Sequence, residues 1–160
     1  MKRIFTICLM FLCVTLTFAQ LNIVKTKKGY ETIATSDAKQ KSLSFSFDSG
    51  TFYLIDTKPP FGESVCDLYI PLGKTKESAL QSLNDLLTLS TTLEDGESVK
   101  IDGYVTHTHT HQLIDIVIHV SAGKIFGQPY LNFQHDYNSV AQYCWDKVDI
   151  KKMIKALNKY

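Results

Sequence analysis

Arginine is almost absent from this chain: Arg3 is its only one, and it stands within the first twenty residues. Arginine is the side chain that most often reads phosphates and base edges, because its planar fork donates several hydrogen bonds at once. If the first 19 residues are removed, 15 lysines face 16 acidic residues and the net charge is −1. Nucleic-acid binders normally present a basic face. We therefore expect no nucleic acid among the partners.

Cysteine is also scarce. Two of the four cysteines fall within the first 19 residues, which leaves Cys66 and Cys144. In an oxidising compartment such a pair predicts a disulfide. Two inert buried thiols are the alternative, because the sequence does not show whether the two Cα atoms approach within about 7 Å. A catalytic thiol is not expected, since both residues fall in apolar patterns.

Long apolar runs are missing after residue 19, and a transmembrane helix needs about 20 such residues. The one long run, Ile4 to Phe18, follows a basic start and leads to the small residue Ala19. That layout is typical of a secretory signal peptide. We expect residues 1–19 to be removed and residues 20–160 to form a single domain without a transmembrane segment. The mature protein would then be periplasmic or extracellular.

Alternation with a period of two marks several half-buried strands. Apolar residues at positions 43, 45 and 47 alternate with serines, and a two-residue turn at Ser49-Gly50 would pair Phe47 with Phe52. Residues 66–72 alternate in the same way. Pro71 predicts that this strand ends at a sheet edge, because proline has no N–H for the ladder.

Apolar residues at helical spacing predict an amphipathic helix over about residues 76–89, with Thr75 as its N-cap. The C-terminal pattern predicts two helices, over about 138–148 and 150–159, with a break near Asp149. We expect an α+β fold, in which these helices pack on one side of a mainly antiparallel sheet of five to seven strands.

Residues 99–120 predict a second hairpin, because the apolar positions change parity in the middle of the segment. Folding the chain about residues 109–110 places both apolar sets on one face. The expected pairs are Val99 with Val120, Ile101 with Ile118, Gly103 with Ile116 and Val105 with Ile114. A four-residue loop, Thr108 to His111, fits this pairing. A bulge within one long strand is the alternative.

Three alternating histidines, His107, His109 and His111, fall at the tip of this hairpin. Neutral imidazole binds Zn²⁺ and other divalent transition metals, so these residues are a candidate metal site, with His119, His135 or a carboxylate as a helper. A polar tip that faces water is the alternative. The spacing matches no recognised zinc motif, so no cofactor is expected unless this site binds such a metal.

No catalytic constellation emerges from the sequence, so an enzyme is not the expectation. Tyr53, Tyr69 and Tyr104 fall on strand positions opposite the apolar set and predict an aromatic sheet face. We expect an exported, non-catalytic binding or accessory module that contacts a protein, a peptide or a cell-surface glycan. A metal-binding protein or metal-dependent hydrolase is one alternative. A small inhibitor or immunity-type protein, with a loop over residues 58–64 and Phe61 as its anchor, is another.

Overall fold

The computed structural model describes residues 28–36, 40–57, 66–107, 112–136 and 142–160. Within these residues the chain forms eight strands and two helices. The strands are β1 (Tyr30–Thr35), β2 (Lys41–Ser46), β3 (Thr51–Asp56), β4 (Cys66–Gly73), β5 (Ser98–His107), β6 (Leu113–Ile125), β7 (Gln128–His135) and β8 (Gln142–Asp146). The helices are α1 (Lys76–Thr92) and α2 (Lys147–Lys159). The predicted signal peptide lies outside the described residues.

All eight strands belong to one antiparallel sheet, and each strand pairs with its neighbour in the chain, in the order β1 to β8. Along the chain, four strands and a helix are followed by four more strands and a second helix. The α+β prediction is confirmed, although the sheet has eight strands rather than five to seven.

The β5–β6 hairpin has the predicted register. All four expected pairs are present, from Val99 with Val120 to Val105 with Ile114. The alternative of one long bulged strand is therefore wrong. The predicted loop, Thr108 to His111, lies outside the described residues.

The β2–β3 hairpin has a longer turn than the sequence predicted. Phe45 pairs with Phe52, and the ladder ends at Ser46 opposite Thr51, so the expected pair of Phe47 with Phe52 is wrong. Residues 47–50 form the turn, in which Gly50 has a φ of 63° and donates its N–H to the Ser46 carbonyl at 2.9 Å. The pairing moves by two residues, which keeps the same side chains on the same face.

The helix predicted over residues 138–148 is wrong, because residues 142–146 form β8. Tyr143 and Trp145 are fully buried while Cys144 between them is only half-buried, which is the alternation of a strand. Large aromatic side chains also pack well on a pleated surface. Residues 138–141 lie outside the described residues.

The C-terminal helix begins at Lys147 rather than at residue 150. Asp146 is its N-cap and accepts a hydrogen bond from the Asp149 N–H at 2.7 Å. Asp149 lies in the first turn instead, where its carboxylate forms a salt bridge of 2.6 Å with Lys41 of β2. The break expected near Asp149 is thus the junction between a strand and a helix.

Helix α1 begins where the sequence predicted and continues to Thr92 instead of residue 89. Thr75 and Ser78 form a capping box in which each side chain accepts a hydrogen bond from the other residue's backbone N–H. This arrangement supplies hydrogen-bond acceptors to backbone N–H groups that would otherwise have none at the start of the helix.

Both helices pack on the same side of the sheet, which we call the inner face. Helix α1 contacts β4, β6 and β7, and α2 contacts β1, β7 and β8. The two helices also contact each other. The Tyr160 hydroxyl, at the end of α2, donates to the Glu31 carboxylate of β1 at 3.3 Å. We call the opposite side of the sheet the outer face.

The turn between β6 and β7 holds Phe126 in an unusual conformation. Phe126 is fully exposed and has a φ of 49°, and the next residue, Gly127, has a φ of 78°. Two successive positive φ angles fit the tight hairpin turn that matches the twist of the strands. Only the second position carries the glycine that such turns favour.

Replacement of Phe126 by Asn is expected to stabilise the protein by about 1 kcal/mol, because asparagine tolerates the left-handed region that a bulky side chain occupies only under strain. Thermal unfolding would show this as a rise in Tm of about 2–4 °C. Phe126→Ala is the matched control, since it removes the ring but keeps the Cβ strain. An equal gain in both variants would show that the ring, not the backbone, carries the cost.

Candidate binding surface on the outer face

Four tyrosines from four strands form one cluster on the outer face. The ring centroid of Tyr53 lies 6.1 Å from that of Tyr30 and 6.2 Å from those of both Tyr69 and Tyr104. Tyr30 and Tyr69 are 5.8 Å apart. We call these four residues the tyrosine cluster. Their mostly edge-on and tilted contacts are those that aromatic quadrupoles favour.

Small side chains on β2 allow this cluster to form. Tyr30 of β1 pairs with Ser46, and its ring passes over β2 to reach rings on β3 and β4. The residues of β2 on that face are Ser42, Ser44 and Ser46, and the last two are buried. Larger residues there would block the path of the tyrosine ring.

The four rings are exposed to different degrees. Tyr53 is only 5% exposed, so it supports the cluster more than it presents a surface. Tyr30 is 44% exposed, and Tyr69 and Tyr104 are half-buried. Burial raises the pKa of Tyr30 and of Tyr69 above the ordinary value of 10.0, so these hydroxyls stay protonated at neutral pH. Each can therefore donate a hydrogen bond to a ligand.

A shallow depression of about 420 Å³ lies beside Tyr104 on the outer face. It is lined by Asp102, Gly103, Tyr104, Asp115, Ile116 and Val117. Val117 is 43% exposed, and both carboxylates are exposed. We call this the Tyr104 depression. It combines an aromatic ring, an apolar side chain and two negative charges.

A second concavity opens where β4 and β5 separate. Their pairing ends at Tyr69 with Tyr104, two residues before Pro71, which has no N–H to continue the ladder. The sequence predicted that Pro71 lies at an edge of the whole sheet, but it lies at this gap between β4 and β5. The gap encloses about 360 Å³ beside α1 and is lined by Ile70, Pro71, Leu72, Ser82, Asp85, Leu86, Leu89, Ile101 and Asp102.

The predicted histidine site falls mostly outside the described residues. His107 ends β5, while His109 and His111 lie in the undescribed segment 108–111. Within the described ranges, no group of three or more His, Cys, Asp and Glu side chains converges as a metal site would. The metal site stays a prediction from the sequence.

The two suggested helper histidines lie on opposite sides of the sheet. His119 is on the outer face of β6, where its Nε2 atom lies 3.9 Å from the Asp136 carboxylate. His135 of β7 is 1% exposed on the inner face, and its ring centroid lies 5.7 Å from that of Tyr143, in a tilted arrangement. They therefore cannot serve one metal together.

Neither Cys66 nor Cys144 forms a disulfide in this structure. Cys66 belongs to the core on the inner face, whereas Cys144 alternates with two core residues of β8 and its Sγ atom lies 3.8 Å from Asn132 Oδ1. The predicted disulfide is not formed, since the side chains point to opposite faces. Burial raises the pKa of the Cys144 thiol above 9.0, which disfavours the nucleophilic thiolate.

Two further phenylalanines bear on what the sequence predicted of the surface. Phe61, the proposed anchor of the 58–64 loop, lies outside the described residues. Exposed Phe126 was missed, although the sequence Phe126-Gly127 between two strand patterns is a turn signal.

Comparison of the chain with protein-family models, curated proteins and solved structures found no significant match in any of the three. Among the described helices, neither is long and apolar enough to cross a membrane.

The fold is expected to lose stability as the pH falls below about 6.5, because burial lowers the pKa of His135 below its ordinary value. The unfolded chain takes up this proton near pH 6.5, and the folded protein resists it until lower pH. Above pH 6.5 His135 is neutral in both states, so its contribution to stability is complete.

Urea unfolding at pH 7.5 and pH 5.5 checks this dependence. His135→Gln should lose less stability than the parent over this interval. Equal losses in the two proteins would contradict the assignment to His135.

When protein isolated from its native compartment without reductant is unfolded in guanidinium, Cys66 and Cys144 are both expected to react with a thiol reagent. The reason is the placement of Cys66 and Cys144 on opposite faces. In Cys144→Ser, Cys66 alone of this pair should react. If neither residue reacts in the parent, the bridge forms, and it would add about 4–5 kcal/mol to stability.

Proposed function

We propose that this protein is an exported, non-catalytic binding module that contacts a protein, a peptide or a cell-surface glycan through the outer face of its sheet. The observation that carries the proposal is the tyrosine cluster with the adjoining Tyr104 depression. Export is proposed from residues 1–19, whose sequence has the layout of a signal peptide.

Tyrosine suits this role because its ring buries apolar area while its hydroxyl keeps a hydrogen bond. Aromatic side chains also dominate the energetics of many interfaces. In the tyrosine cluster each ring contacts at least one other, so a partner would meet side chains that are already ordered. Such preorganisation lowers the entropy cost of binding.

Neither described helix covers this part of the outer face, and Tyr30 there is 44% exposed. Both helices of the described chain pack on the inner face. Two apolar side chains of β6, Leu113 and Val117, are each 43% exposed on the same face. A surface with rings, aliphatic groups and carboxylates together supports selective contact better than a uniformly polar one.

Photo-crosslinking in the native compartment tests this proposal. A benzoylphenylalanine residue at position 104 is expected to give a discrete covalent adduct with one identifiable partner. The same group at position 155, on the exposed side of α2, is the matched control and should give none. The Tyr30→Ala substitution, introduced into the protein that carries the probe at position 104, should weaken the adduct because it removes a supporting ring.

The proposal is overturned if the adduct pattern at position 104 matches that at position 155, or if Tyr30→Ala leaves a strong adduct unchanged while the fold is intact. Circular dichroism of each variant shows whether it folds. For a glycan partner, which mass spectrometry would identify as a sugar-bearing adduct, the same two comparisons apply.

A further inference from the structure

Two carboxylates flank Tyr104 on the outer face. Asp115 lies directly across from Tyr104 on β6, and Asp102 lies two residues earlier on β5, opposite Val117. Directly opposed residues on one face stand about 4.5–5.5 Å apart at Cβ, and diagonal ones about 7–8 Å. The four side chains therefore form a compact square with the two aspartates on one diagonal.

Neither Asp102 nor Asp115 forms a salt bridge or side-chain hydrogen bond within the described part of the chain. Among the outward positions of β1 to β6 that the structure describes, the one lysine is Lys100, which stands two residues before Asp102 on the same face but forms no ion pair with it. At a diagonal distance of about 7–8 Å the two exposed carboxylates repel each other weakly, and a cation placed between them would be attracted by both.

The other two corners of the square are Tyr104 and Val117, and both can contact a cationic side chain. The ring of Tyr104 offers a π face, which attracts an ammonium or guanidinium group within about 6 Å. Val117 is 43% exposed and offers an apolar contact for the methylene stem. The depression of about 420 Å³ is large enough for one such side chain.

We propose that the Tyr104 depression binds a lysine or arginine side chain of a basic segment in the partner. The inference rests on the proposed function of the outer face and narrows its partner to a basic peptide or protein segment. A neutral glycan would leave both carboxylates uncompensated, and an acidic partner would be repelled by them.

Titration with pentalysine tests this directly, with pentalysine acetylated at every side chain as the neutral probe of the same backbone. We expect pentalysine to shift the backbone NMR signals of residues 102–104 and 115–117, and the acetylated peptide to leave them unchanged. The affinity should fall as salt is raised from 50 to 500 mM, because the contacts are exposed to solvent.

Substitutions then separate the local site from general charge attraction. The double variant Asp102→Asn, Asp115→Asn should weaken binding about tenfold, because it removes both carboxylates that attract the cationic side chain. The matched control, Glu94→Gln with Asp95→Asn, removes two exposed charges beside α1 and should change the affinity less than twofold. Tyr104→Leu should weaken binding about threefold, whereas Tyr104→Phe should retain it, because it keeps the ring face.

The inference is overturned if pentalysine fails to shift these signals, or if the two double variants weaken binding equally. Its failure is distinguishable from failure of the proposed function. A crosslinked partner that depends on the tyrosine cluster, yet binds the Asp102→Asn, Asp115→Asn variant unchanged, would keep the binding module and exclude the basic segment. If pentalysine shifts the NMR signals at the site but the probe at position 104 gives no specific adduct, the cation site is supported and the wider proposal is rejected.

Discussion

Burial of the inner face under two helices is the constraint on which the rest of this structure depends. Alternate residues along the strands enter one core together with one side of each helix. A one-residue change of register would turn that whole set toward the opposite face, so the core fixes the pairing strongly. The salt bridge from Lys41 to Asp149 adds a polar contact between β2 and the start of α2, at 2.6 Å.

This one-sided packing explains why the outer face carries the candidate site. Residues there lie outside that core cluster, and their chemistry varies from strand to strand. Serines on β2 leave room for Tyr30, while β4 and β5 place Tyr69 directly opposite Tyr104. The result is an aromatic surface beside an acidic depression, assembled from five strands whose other side is packed against the core.

The spacing of apolar residues predicted those strands and helices in which one repeat, of two residues or of about 3.6, dominates the pattern. The parity change between Val105 and Ile114 specified the β5–β6 register, and the spacing around Leu83 specified α1. Pattern failed at β8, because the apolar residues of this five-residue strand also fit a helical face when joined to residues before and after it. A short strand offers too few turns of alternation to decide between the two periods.

The candidate site was only partly visible in the sequence. The outward phase of Tyr69 and Tyr104 followed from strand alternation, but the contact between them needed the β4–β5 pairing, which spans a helix and more than thirty residues. The role of Tyr30 was hidden for a similar reason, since its ring reaches across β2. Asp102 and Asp115 lie within a correctly predicted hairpin. Their relevance to binding became clear only when the structure placed them beside Tyr104 and Val117.

The strand order has a consequence for how the chain acquires this shape. Because every strand pairs with its immediate neighbour, most of the ladder can grow through successive hairpins with modest loop-closure entropy. The contacts of the C-terminal helix with β1 and β2 are of longer range, since Tyr160 bonds to Glu31 across 129 positions and Asp149 pairs with Lys41 across 108. Docking of that helix therefore joins the first and last elements that the structure describes, so a nascent or truncated chain without its last turn would lack the Tyr160 contact to the first strand.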